Sequence, residues 1–289
     1  MSNTILNKGY LILVCFLYFL QPTVAQENNT EFLNYLYRTK QFRHLISYSQ
    51  YLNEGPANSI SADSLRYLTA KSHFQLKEYE ASNKNLTVIT QSFNAYNETR
   101  FLMSANANQL DNYDDARKAL EDINPTDSIT EGFKYFELSG IALLNRDLKK
   151  YYSYDTLINT DYYFYETERQ SLAQIANNFS QRKEKSPFVG GLLSAVIPGA
   201  GRFYAGKRGQ AIYSFVISAF LGLQTWESYQ KNGVNSARFI TYGSLFSLFH
   251  IGNIWGSALS VKNYNNEYNE AADYRIKMDL LIPIRSLYK

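Results

Sequence analysis

Three stretches decide the fold: SPFVGGLLSAVIPGAGRFYAGKRGQ at 186–210, AIYSFVISAFLGLQTW at 211–226 and FITYGSLFSLFHIGNIWGSALSV at 239–261. No charged side chain lies between Arg208 and Glu227, or between Arg238 and Lys262. At ~1.5 Å per residue these intervals could form helices of about 27 and 35 Å, which is long enough to span a bilayer. The pattern predicts an α-helical membrane domain of two to three apolar helices over residues 187–262.

The first apolar segment is short and ends in a corner. Pro198 removes a backbone donor, while Gly199 and Gly201 relax the backbone, so a regular spanning helix should not continue through them. A basic and aromatic turn follows and includes Tyr204 and Gly206. Such turns favour the cytoplasmic membrane interface. Whether this segment spans the membrane or re-enters it stays open.

Small residues recur at four-residue spacing on both long runs. They are Gly252, Gly256 and Ser260 on the later run, and Ser214, Ser218 and Gly222 on the earlier one. Small residues at this spacing let helices approach closely in lipid, where apolar burial no longer drives association. We interpret them as the packing faces of a hairpin within the chain, with homodimerisation as the alternative.

His250 and Asn253 are polar groups inside the later run and would need partners at membrane depth. No Asp, Glu, Lys or Arg accompanies them within that run. Packing hydrogen bonds are therefore a better interpretation than a proton path.

Residues 1–25 are typical of a secretory signal peptide. Lys8 supplies the positive region, an apolar core follows, and Ala25 ends a plausible processing site. An uncleaved anchor is the alternative. Cys15 is the single cysteine and lies in the apolar core, so the processed chain could form no disulfide.

Between residues 27 and 160 the sequence predicts nearly continuous helix with a repeated turn. The turns are TKQF at 39–42, LKEY at 76–79, LDNY at 110–113 and NRDL at 145–148. Their spacing of roughly 35 residues is typical of tetratricopeptide-like helix pairs. An irregular helical bundle is the alternative, and both make the fold all-α. Residues 161–186 form a connecting helix or linker, and residues 263–289 a polar tail.

Two resemblances extend this interpretation. LLSAVIPGAGRFYAGKRGQA resembles the hairpin of the TM2-domain families and their bacterial relatives, and HIGNIWGSALSVKNYN resembles the closing helix of uncharacterised bacterial envelope proteins. LDNYDDARKALEDINP resembles the tetratricopeptide pattern through Tyr113, Ala116 and Pro125. The first resemblance covers roughly residues 186–265 and implies a bacterial inner-membrane protein with no established reaction; the signal peptide would export its repeats.

Catalytic and nucleic-acid functions find little support. The net charge is only +3, with no basic face along the sequence. The G-x-x-x-x-G-K match from Gly201 to Lys207 has Arg208 where a phosphate loop needs Ser or Thr. His44 and His73 lie far from each other and from His250. We therefore expect no enzyme, no metal and no cofactor.

The sequence thus predicts a membrane-anchored helical-repeat scaffold or adaptor that binds a protein or peptide partner in the concave groove of its repeats. A small channel or transport component, with the repeats as a regulatory domain, is the alternative. Homo-oligomers are compatible with either.

Overall fold

The structure, a computed structural model, describes residues 29–54, 60–158 and 163–287. Among these residues the regular elements are all helices and none is a strand, which confirms the all-α class. The predicted signal peptide at 1–25, with Cys15, lies outside the described residues.

Thirteen α-helices are described. In chain order they are α1 Asn29–Arg38, α2 Phe42–Glu54, α3 Ala62–Gln75, α4 Tyr79–Leu86, α5 Tyr96–Gln109, α6 Tyr113–Glu121, α7 Ser128–Leu144, α8 Leu148–Asp155, α9 Glu166–Gln181, α10 Pro187–Val196, α11 Ala200–Tyr204, α12 Arg208–Asn232 and α13 Ala237–Leu287. A short 3-10 turn, Tyr163–Tyr165, precedes α9. The chain divides into two compact units, Met1–Thr99 and Arg100–Lys289, and the boundary falls within α5.

Each of the four predicted turns joins two consecutive helices and contains one non-glycine residue in the left-handed region. These residues are Lys40, Lys77, Asp111 and Arg146, with φ of 60°, 62°, 59° and 58°. In the first turn the Gln41 N–H donates to the Leu36 carbonyl at 2.8 Å and the Lys40 N–H donates to the Tyr37 carbonyl at 3.0 Å. This pair of bonds is the Schellman ending of a helix, and the other three turns repeat it. The helical repeat-like architecture predicted from the spacing is therefore present.

In the first unit, α1 to α3 enclose a leucine-rich core. Its buried members are Leu33, Leu36, Leu45, Leu52, Ile60 and Leu65. Where α3 meets α4, the buried Ser82 hydroxyl donates to the Ala70 carbonyl at 2.9 Å. A small residue is needed there because both side chains are fully enclosed.

The helices α6 to α9 of the second unit form a layer, and its aromatic core is built from rings of α5, α7 and the 3-10 turn. The rings of Phe101 and Phe133 lie 4.7 Å apart, and those of Phe136 and Tyr165 lie 4.8 Å apart. Helix α7 is the centre of this layer, since it packs against α6, α8, α9 and α13.

The last four helices make two hairpins, α10 with α11 and α12 with α13. Helix α13 packs against each of the other three. In the part of the chain that the structure describes, no helix combines the length and the apolar character that crossing a membrane requires. The spanning helices predicted within 187–262 are therefore unsupported.

The predicted polar tail is largely helical, because α13 continues to Leu287. Its Ile276, Leu280 and Ile284 side chains are buried. Leu280 packs onto Gly140 of α7, where a β-carbon would collide with it. The Lys277 ammonium lies 2.5 Å from the Asp111 carboxylate. The tail thus closes the helical layer of the second unit.

Candidate functional site

The corner after α10 is built on two glycines with different constraints. Gly199 has a φ of 87°, and a β-carbon on it would collide with the Ala211 carbonyl. A β-carbon on Gly201 would overlap the Gly190 carbonyl oxygen and lie 2.8 Å from the Ser257 β-carbon. The corner therefore holds α10, α11 and α13 at a separation that only glycine permits.

The other members of the predicted turn motif flank this corner. Pro198 directly precedes Gly199, and Gly206 has a φ of 79° with open space around it. Tyr204 ends α11, and its main-chain oxygen accepts a hydrogen bond from the Lys185 ammonium at 2.7 Å. This bond holds the end of α11 next to the start of α10.

Two buried serines connect the corner to α13. The Ser194 hydroxyl donates to the Ser257 hydroxyl at 2.7 Å and accepts from the Gly201 N–H at 2.8 Å. Both serines are fully buried. Neither serine was predicted from the sequence, and neither were Gly190 and Gly191, which face α13. The spacing of Gly190 and Ser194 by four residues is the signal that could have found them.

The structure distributes the predicted small-residue stripes over several contacts. On α12, Ser214 and Ser218 are buried, and a β-carbon on Gly222 would lie 3.4 Å from the Phe246 ring. The three small residues on α13 lie in three different environments. Gly256 faces the Arg202 guanidinium, Gly252 has open space, and the Ser260 hydroxyl bonds to the carbonyl of Gly256 in its own helix.

His250 and Asn253 lie on the inner side of α13. The His250 ring stacks on Phe246 at 5.6 Å between ring centroids. Asn253 is buried, and neither its amide oxygen nor its amide nitrogen finds a hydrogen-bond partner within the described residues. The same holds for His250 Nδ1 and the Ser218 hydroxyl. Buried polar atoms without a partner among the described residues therefore occur on both α12 and α13.

A ring of basic and aromatic side chains surrounds the point where both hairpins begin and end. We call this ring the collar; its members are Arg182, Lys185, Tyr204, Lys207, Tyr264, Asn265, Glu267 and Tyr268. The Arg182 guanidinium lies 3.4 Å from the centroid of the Tyr268 ring, and the Lys185 ammonium 4.1 Å from that of Tyr264. These are cation–π contacts, which fix the cations beside the rings.

Polar bonds within the collar tie residues that are distant in sequence. The Asn265 amide nitrogen donates to the Lys185 carbonyl at 2.8 Å. The Lys207 ammonium lies 2.9 Å from the Glu267 carboxylate. The start of α10, the start of α12 and the middle of α13 are therefore held at one level.

Beyond the collar the double hairpin exposes large apolar side chains. Apart from Val234 in the turn between α12 and α13, those at least half exposed are Phe188, Leu192, Val196, Ile197, Phe203, Ile212, Tyr213, Phe215, Val216, Phe220, Leu223, Trp226, Ile240, Leu248, Ile251, Trp255 and Leu259. We call this surface the apolar band. The largest exposed apolar patch on a soluble monomer is usually about 300–600 Å². The band ends at Glu227, which pairs with Lys231 at 2.7 Å.

A groove of about 410 Å³ lies between α6, α7 and α8. Its floor contains Leu138 and Ile141, and charged side chains of both signs line it, with Asp114 and Arg117 on α6 and Lys150 on α8. In the part of the chain that the structure covers, no group of three His, Cys, Asp or Glu side chains could hold a metal ion.

Comparison of the chain with protein-family models, curated proteins and solved structures found no match in any of the three. The resemblances to TM2-domain hairpins and to tetratricopeptide repeats therefore stay predictions.

Proposed function

We propose that the protein is a membrane-anchored helical scaffold, held in lipid by its apolar band and open to a protein or peptide partner along its helical layer. The band carries this proposal, because so many exposed aromatic and branched side chains are costly in water. No single helix has to supply the anchor, since α10, α12 and α13 all expose large apolar side chains.

The collar supports the same proposal. Tyrosine rings and long basic side chains favour the boundary between lipid and water, where the ring contacts lipid and the charge stays hydrated. In this arrangement the collar marks the membrane surface, and the apolar band lies on the lipid side of it.

The path of the chain gives the proposed orientation. Helix α9 enters the collar and α13 leaves it, and the two then pack together, with Arg275 Nε 3.2 Å from the Ser171 hydroxyl. Both hairpins would therefore enter the membrane from the side that carries the helical layer. With the predicted signal peptide, that side would be the exported face of a bacterial inner membrane.

Vesicle flotation tests the anchor. We expect the full-length protein to float with phosphatidylcholine vesicles after detergent removal. The triple variant Val216→Glu, Phe220→Glu, Leu223→Glu should lose at least about tenfold in partitioning, because burying even one such side chain is worth about 1.5–3 kcal/mol.

The matched control is Tyr51→Glu, Val88→Glu, Ile129→Glu, which changes three exposed apolar side chains outside the band. This control should float like the unaltered protein. If the two triple variants float equally well, or if the unaltered protein stays at the bottom of the gradient, the apolar band is not a membrane anchor.

For the partner, we propose a peptide bound in the groove between α6, α7 and α8. Apolar residues form part of its lining, and both basic side chains there have a nearby carboxylate, with Arg117 2.7 Å from Glu121 and Lys150 3.4 Å from Asp147. This mixture suits a peptide that presents both charges and apolar side chains.

Peptide display on the vesicle-bound full-length protein tests the groove. Arg117→Glu with Lys150→Glu leaves the lining acidic, so the selected peptides should shift toward positive net charge. Arg38→Glu with Lys84→Glu makes the same charge change at exposed positions away from the groove and should leave the selection unaltered. Identical peptide sets from both double variants would exclude the groove as the binding site.

A further inference from the structure

A second groove, of about 400 Å³, lies between α10 and α13 on the apolar band. Its lining is almost purely apolar and comprises Pro187, Phe188, Gly191, Leu192, Ala195, Ile254, Trp255 and Ala258. The volume lies within the range of about 300–1,000 Å³ that small-molecule sites usually have. The absence of a side chain at Gly191 and the small ones at Ala195 and Ala258 leave this space open.

The two helices fix where the groove begins. Gly190 of α10 lies against Val261 of α13, and Gly191 lies against Ala258 and Ile254. The first turn of α10 is therefore level with Lys262, which directly follows Val261 and is exposed. Lys183, also exposed, precedes α10 by four residues. One end of the groove thus opens toward basic side chains.

The charge at that end is positive on balance. The residues around it include the cations Arg182, Lys183, Lys185, Lys207 and Lys262 and the carboxylates Glu184 and Glu267. The Glu267 carboxylate is already paired with Lys207. The N-terminus of α10 adds the positive end of its helix dipole.

We propose that this groove holds one acyl chain of an anionic phospholipid, with the lipid phosphate at Lys183, Lys262 and the start of α10. The apolar groove matches the acyl chain of such a lipid, and the cations at its end match the phosphate group. The inference rests on the membrane anchoring proposed above and adds a lipid selectivity to it.

The two tryptophans allow a direct test, because Trp255 lines the groove and Trp226 lies elsewhere on the apolar band. Full-length Trp226→Phe and Trp255→Phe variants each retain one emitter. Each is placed in phosphatidylcholine vesicles with a minor fraction of bromine-labelled lipid, either phosphatidylglycerol or phosphatidylcholine. Bromine quenches a tryptophan that touches the labelled chain.

We expect the same quenching of Trp255 at a roughly fivefold lower mole fraction of labelled phosphatidylglycerol than of labelled phosphatidylcholine. A ratio of this size is the effect of one lysine near an anionic lipid. Trp226 should show no such preference. Ala195→Leu, at an exposed position, fills the groove and should abolish the preference of Trp255. Lys183→Gln with Lys262→Gln should abolish it as well.

Equal quenching of Trp255 by both lipids, or a preference that survives Ala195→Leu, would overturn the lipid site while leaving the anchor intact. Absence of quenching at both tryptophans would instead overturn the membrane contact itself. The two failures are therefore distinguishable in one set of samples.

Discussion

Gly201→Ala is expected to destabilise the double hairpin by about 3 kcal/mol or more, the upper end of what overpacking costs. The added methyl group would overlap the Gly190 carbonyl oxygen and lie 2.8 Å from the Ser257 β-carbon. Neither neighbour can rotate away, since one is backbone and the other is a β-carbon. The Gly201 N–H would also lose its bond to the Ser194 hydroxyl if the corner moved.

Urea unfolding of the vesicle-bound protein, carrying Trp226→Phe so that Trp255 is the single emitter, measures this loss. Gly209→Ala is the matched control, because it adds the same methyl group where nothing lies within 4 Å. Gly209 lies in the first turn of α12, so its alanine variant should be unchanged or stabilised by up to about 1 kcal/mol. Equal stabilities for the two variants would mean that the corner does not require glycine at 201.

Local sequence patterns predicted the parts of the fold that depend on neighbours in the chain. The four turns were found from their spacing, because a helix pair of fixed length repeats its turn at a fixed interval. Their left-handed residues were not foreseen, since Lys40, Lys77 and Arg146 carry side chains and glycine is the usual residue there. The corner was found because proline and glycine interrupt a helix wherever they occur.

The contacts between residues that are distant in the sequence could not be predicted. Nothing in the sequence says that Asn265 meets Lys185, a contact across 80 residues. The polarity of residues 263–289 indicated a tail, yet its apolar positions Ile276 and Leu280 lie on one buried side of α13. The absence of charge in a run of residues likewise does not show whether its helix crosses a membrane. The same absence is compatible with a helix whose apolar side chains pack partly against another helix.

The second large effect that we expect is a pH dependence of stability caused by Glu137. It lies in the middle of α7, is fully buried, and neither carboxylate oxygen has a hydrogen-bond partner within the described residues. Burial raises its pKa well above the ordinary value of a glutamate. The folded protein therefore keeps the proton at pH values where the unfolded chain has lost it.

This difference sets the sign of the pH dependence. Because the folded-state pKa is the higher one, the folded protein binds more protons in the window between the two pKa values, and stability falls as pH rises through that window. The loss is about 1.4 kcal/mol per pH unit from the ordinary glutamate range near 4.5 upward, and it stops once the folded-state carboxyl has also ionised.

Glu137→Gln should remove this slope, because glutamine has the shape of the protonated side chain and does not titrate. We expect the variant to be more stable than the unaltered protein at pH 7 and equal to it near pH 4, in urea titrations of the full chain. Glu131→Gln, an exposed glutamate on the same helix, controls for the lost charge and should keep the slope. A slope that persists in Glu137→Gln would assign the titration to another group.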